Sequence, residues 1–109
     1  MAGVNKVLLV GCIGSKGVEV RYGPSGQPVV SLLLTYAETW ADGKERNVYI
    51  PVEVLGKNAE HAAELEPGAA ILVDGKVLRR RVGTSWETVV ACWQLQPVTV
   101  PAVPVEEPV

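Results

Sequence analysis

The sequence predicts an all-β domain, mainly β with one short helix, on three observations. Hydrophobic side chains make up 48% of the 109 residues and charged ones 20%, a balance that favours a packed core over disorder. Apolar and polar residues alternate at period two in several segments, as half-buried strands require. Turn residues separate these segments, and only one stretch has helical composition. The length suits a single domain.

Val4 to Ile13 is an apolar run that ends at Gly14, long enough for a strand. Val18, Val20 and Tyr22 then share one face, opposed by Glu19 and Arg21. Gly23-Pro24-Ser25-Gly26 is a turn, since Pro fixes φ and Gly permits positive φ. A strand from Val29 to about Tyr36 returns from it, and Asp42-Gly43 marks the next reversal. Arg46 to Leu55 alternates again, with Val48, Ile50, Val52 and Val54 on one face. Pro51 lacks an N–H, so an edge or a bulge is expected there. Lys57 to about Glu66, rich in Ala, Glu and Leu, is the helix, stopped by Pro67-Gly68. Ala70 to Val82 and Trp86 to Leu95 form a final hairpin about Gly83-Thr84-Ser85, kinked at Gly75. The domain is expected over residues 1–96, with 97–109 a Pro/Val/Glu-rich tail. Five strands, with the helix between the middle and final ones, give the order of an OB-fold five-stranded barrel, a platform for oligonucleotides. Strand counting by itself leaves SH3-like barrels and small sandwiches open.

The net charge of −2 argues at first against a polyanionic ligand, because counterion release needs Lys or Arg near phosphates. Glu106 and Glu107 carry that excess: residues 1–96 hold ten Lys+Arg and the other ten of the twelve Asp+Glu. The barrel is therefore neutral, with three of its cations consecutive at Arg79-Arg80-Arg81. Cys12 and Cys92 are too few for a disulfide framework and point to a reducing, cytoplasmic setting. Leu9-Val10-Gly11-Cys12 imitates a lipoprotein cleavage box, but its apolar stretch starts only at Val7 and continues as strand, so export is not expected. Prolines 97, 101 and 104 break the one long uncharged run, and no membrane partner is expected. His61 has no second ligand at metal spacing, and Gly11 to Gly17 lacks the Gly-Lys-Ser/Thr of a phosphate loop. Without a Cys-His pair or carboxylate dyad, neither an enzyme nor a cofactor is expected.

Four blocks in order resemble the bacterial single-stranded-DNA-binding protein family. They are Asn5-Lys6-Val7-Leu8-Leu9-Val10-Gly11, Arg21-Tyr22-Gly23-Pro24-Ser25-Gly26, Leu55-Gly56-Lys57-Asn58-Ala59-Glu60, and Pro67-Gly68 followed by Val73-Asp74-Gly75-Lys76-Val77-Leu78 and the three arginines. The resemblance covers about residues 3–96. It implies an OB-fold that holds single-stranded DNA, with bases stacked on aromatics and cations along the backbone, as a homotetramer or dimers. Trp40 and Tyr49 fall on family stacking positions, Leu55 replaces a third ring, and a fourth is missing near Val82-Gly83, where Trp86 stands across a shortened turn. The family's acidic tail ending in Asp-Ile-Pro-Phe is replaced by Glu106-Glu107-Pro108-Val109, so replication or repair partners recruited through it are not expected by that route.

The candidate DNA-binding residues are thus Trp40, Tyr49, Trp86, Arg79, Arg81, Lys6, Lys44 and Arg21, with Lys16 and Arg46 weaker. Strand parity sends Arg79 and Arg81 to one face and Arg80 to the other; a charged edge strand is the structural alternative. Trp93 shares parity with Val89, Ala91 and Leu95 and reads as core or subunit interface, and Tyr22 and Tyr36 read as core. The expected function is binding of single-stranded DNA with little sequence preference, in replication, recombination or repair. The alternatives are a replication-restart accessory like the primosomal replication protein N, or an OB- or SH3-like protein-interaction module.

Overall fold

The computed structural model describes residues 1–99. Five strands run in the order β1 (Val7–Tyr22), β2 (Pro28–Thr39), β3 (Glu45–Val54), β4 (Ala70–Val82) and β5 (Ser85–Pro97), with helix α1 (Asn58–Ala62) between β3 and β4. They close into a barrel in the order β1-β2-β3-β5-β4. All pairings are antiparallel except β3 with β5, where Val52–Val54 lies beside Val90–Cys92. This is the expected OB-fold architecture.

The break expected at Gly14 is a bulge inside one long strand. Between Ile13 and Val18, β1 takes five steps while its partner takes two, from Leu34 to Leu32. Gly17 absorbs the distortion at φ +71°. The bend lets the first half of β1 pair with β4 and the second half with β2, which closes the barrel. Pro51 does lie at an edge: β2 pairs with β3 there without a register shift, and β5 joins only from Val52.

The core comprises Ile13, Val30, Leu32, Leu34, Val52, Val54, Ile71, Val73, Val90, Cys92 and Leu95, plugged by Ala59 and Ala62 of the helix. It holds no ring, which corrects the reading of the tyrosines. Tyr22 lies at the β1–β2 hairpin tip opposite Pro28 and is exposed. Tyr36 is half-buried, and its hydroxyl donates to Glu38 Oε2. A small barrel plugged by a helix is filled here by aliphatic side chains and the Cys92 thiol.

The helix is shorter than its composition suggests. After Ala63, the N–H groups of Glu64 and Leu65 donate to carbonyls three residues back. The chain then turns so that the Gly68 N–H donates to the Ile13 carbonyl and the Ile13 N–H to the Ala69 carbonyl. Tying this segment to β1 takes precedence over extending a short helix. At the other end, β5 reaches Pro97 and the Val98 N–H bonds the Ala70 carbonyl, slightly past the expected boundary. The rest of the expected tail lies outside the described residues. Among these, no helix is long and apolar enough to cross a membrane.

Candidate nucleic-acid interface

The β4–β5 hairpin outruns the barrel. The β1–β4 ladder ends at Gly75 and the β3–β5 ladder begins at Val90, so Lys76–Val82 and Ser85–Val89 pair only with each other. Gly83 makes the two-residue turn possible at φ +61°. The arm has two unlike faces. Val77, Arg79 and Arg81 lie with Trp86 and Thr88 on the exposed face; Arg79 is opposite Thr88 and Arg81 opposite Trp86. The Arg79 guanidinium carbon sits 5.4 Å from the Trp86 ring centre.

The other face is anchored through charge. Arg80 Nη1 donates to Glu53 Oε1 at 2.9 Å, and its Nε to Glu87 Oε1 at 2.6 Å. A further bond joins Arg80 to Glu53 Oε2, which also accepts from Arg21 Nη2 at 3.1 Å. Glu53 is 5% exposed, the one buried charged residue among those described. Its hydrogen bonds, reinforced by Glu87, hold the Arg80 guanidinium even more firmly protonated than usual. Arg80 is thus withdrawn from the exposed face, as strand parity predicts. The Asn5 side chain steadies the same arm by donating to the Val77 carbonyl and accepting from the Val77 N–H.

At the β2–β3 turn, the Trp40 N–H donates to the Lys44 carbonyl and the Gly43 N–H to the Trp40 carbonyl. Trp40 is 51% exposed, with the Arg46 guanidinium 4.4 Å from its ring centre and its indole N–H on Glu38 Oε1. Arg46 also pairs with Asp42 at 2.9 Å, whereas Lys44 makes no ion pair among the described residues. Tyr49 projects from the outer face of β3 opposite Thr35 and is exposed. With Leu33, Pro51 and the β1 bulge at Gly14–Val18, it lines an apolar groove of about 440 Å³. A second hollow, sharing Glu19, Ser31, Leu32 and Pro51 with the first, continues the groove to Arg21, Glu53, Arg80 and Glu87 at the foot of the arm.

The eight candidates therefore divide. Trp40, Tyr49, Trp86, Arg79, Arg81 and Lys44 present rings or unpaired cations to solvent. Lys6 is held by Asp74 at 2.7 Å and Arg21 by Glu53. Sequence reasoning underrated two cations: Arg46 covers Trp40, and Lys16 lines the Tyr49 groove. The first depends on the β2–β3 register, which sets Arg46 opposite Glu38 beside the turn; the second depends on the bulge. Trp93 is not core but half-exposed. Its position follows from a bulge in β5, where Asp74 pairs with Gln94 and Gly75 with Cys92, so that Trp93 has no partner. No group of three His, Cys, Asp or Glu among the described residues is arranged to hold a metal.

Comparison with known families matches residues 4–89 to the single-strand binding protein family. The chain belongs to this family. Among solved structures, it is similar to a deletion mutant of the single-stranded DNA binding protein from Thermus aquaticus, with 32% identity and a TM-score of 0.71 over 89% of this chain and 51% of that one. The chain thus spans about half the length of that Thermus chain. A Plasmodium falciparum relative, solved in complex with single-stranded DNA, shares the fold at a TM-score of 0.80 and 19% identity, over 91% of this chain and 98% of that one.

Proposed function

We propose that this protein binds single-stranded DNA with little sequence preference, in replication, recombination or repair, and has no chemistry of its own. The observation that carries the reading is the arm: Arg79 over Trp86, with Arg81 opposite that ring, on a face left free because Arg80 holds the other face to the barrel. A π-face stacks on any base while a guanidinium meets the adjoining phosphate, so affinity does not depend on sequence. Trp40 with Lys44 and Arg46, and Tyr49 with Lys16, supply further contacts of the same kind. Lys6 and Arg21, already engaged by carboxylates, contribute less. Family membership supports this reading, as does the relative solved with single-stranded DNA.

The protein acts as a homo-oligomer. Leu8 and Val10 stand exposed on the outer face of β1, next to Asp74 and Leu72 in the β1–β4 register, an apolar strip suited to contact between copies. A cytoplasmic, nucleoid-associated place follows from binding DNA.

Titration of tryptophan fluorescence with oligo-dT tests the reading. Saturable quenching is expected at micromolar protein in low salt, weakening as salt rises. Unchanged emission, with no binding of labelled oligo-dT, would leave the protein-interaction alternative.

A further inference from the structure

Each of the three tryptophans among the described residues is half-exposed and carries a cation over its ring: Arg46 on Trp40, Arg79 on Trp86 and Lys76 on Trp93. The third pair lies apart from the other two, and several features hold Trp93 in place. The β5 bulge removes it from the ladder and re-aims it. Gly75, opposite, permits the close approach: any Cβ there would overlap the Ala91 carbonyl oxygen. The Asn58 side-chain amide holds the Trp93 carbonyl at 2.7 Å. Lys76 Nζ stands 5.9 Å from the ring centre, and Lys76 joins no ion pair among the described residues. The bulge costs β5 a ladder position and leaves a large ring half in water.

We propose that Trp93 and Lys76 form an additional contact for single-stranded DNA, the ring stacking on a base and the ammonium meeting the adjacent phosphate. The inference rests on the DNA-binding reading above. Lys76 distinguishes this ligand from a second copy of the chain: an unpaired cation beside a π-face suits a base and its phosphate, whereas an apolar contact between copies would desolvate that charge without a partner. Lys76 lies on the strand face of Leu78 and Arg80, opposite to that of Arg79 and Arg81. A strand that uses both pairs therefore passes around the arm.

The experiment replaces Trp40 and Trp86 by Phe, leaving Trp93 as the only tryptophan. Anisotropy of fluorescein-labelled oligo-dT reports binding while tryptophan emission reports Trp93. The expected result is quenching of Trp93 in step with the anisotropy. In the unsubstituted chain, Trp93→Leu should weaken binding about fivefold or more, the lower end of one lost stacking contact. Lys76→Gln, at an exposed site, should weaken binding and lower its salt sensitivity. Emission unchanged while the anisotropy rises overturns the proposal. So does emission that shifts with protein concentration and ignores DNA, which assigns the ring to contact between copies. No anisotropy rise with the unsubstituted chain overturns this proposal and the functional reading together.

Discussion

At the scale of single residues, burial and partners separate side chains that the sequence presents alike. Arg79, Arg80 and Arg81 are consecutive, yet Arg80 is committed to Glu53 and Glu87 while its neighbours stand free. Cys92 is fully buried and its Sγ faces the Gln94 carbonyl, whereas Cys12 is only half-buried. Burial pushes the Cys92 thiol pKa up, against the lowering effect of hydrogen bonds to backbone. Above the ordinary thiol pKa, the unfolded chain gives up a proton that the folded chain retains. The resulting contribution to stability is full below that pKa and is lost as pH rises through the thiol range. Tyr36, raised by desolvation and by its bond to Glu38, acts in the same direction at higher pH. Melting temperature is therefore expected to fall between about pH 8 and 10, and less steeply in Cys92→Ala. Thiol titration of the native protein should modify Cys12 well before Cys92.

Among the elements, the arm and the bulge at its base decide what is displayed. Glu53 joins β3 to Arg21 of β1 and Arg80 of β4. Glu53→Ala would strand two guanidiniums. The loss should fall short of that for a fully buried pair, at about 1–3 kcal/mol, because the Arg21 and Arg80 side chains remain 53% and 34% exposed. Urea denaturation would measure it, and Glu53→Gln, which keeps the packing, should cost less. Gly75→Ala forces a methyl group into the β5 backbone at the bulge and should destabilise by about 2–3 kcal/mol. Equal melting of Gly75→Ala and the parent would contradict so close an approach of the two backbones at the bulge. The elements themselves were largely legible in the sequence. Alternation in β3, the turn at Gly23–Gly26 and the kink at Gly75 all stand where the residues placed them. The helix end was not, because the bonds of Gly68 and Ala69 to Ile13 span residues far apart in the chain.

For the whole molecule, the proposed binding draws on charge and the proposed assembly on exposed apolar surface. The barrel is neutral overall, but Lys16, Lys44, Lys57, Lys76, Arg79 and Arg81 make no ion pair among the described residues. If three or four of them meet phosphates, the logarithm of the binding constant should fall with that of salt at a slope of about −2 to −3. Titrations at several salt concentrations would measure this, and Arg79→Gln should flatten the slope by somewhat less than one. A salt-insensitive binding constant would contradict the phosphate contacts. Leu8→Glu places a charge on the exposed strip of β1 and should lower the mass measured by light scattering, while the barrel stays folded. An unchanged mass would contradict the proposal that copies meet at this strip.

The sequence by itself determined the barrel class, the order of elements along the chain, the family and most of the exposed rings and cations. Those follow from period-two alternation, turn chemistry and ordered motifs, all of which are local. Tertiary structure alone decided which cations are free and which rings are covered. Arg80 and Arg21 meet on Glu53 only once three strands come together, and Lys16 joins Tyr49 only because β1 bulges. Trp93, whose parity placed it with Leu95, faces out because one unpaired residue shifts the phase of β5. A bulge reverses every facing beyond it; Gly75 marks where the strand can bend, but only the paired register shows which residue of β5 is left out.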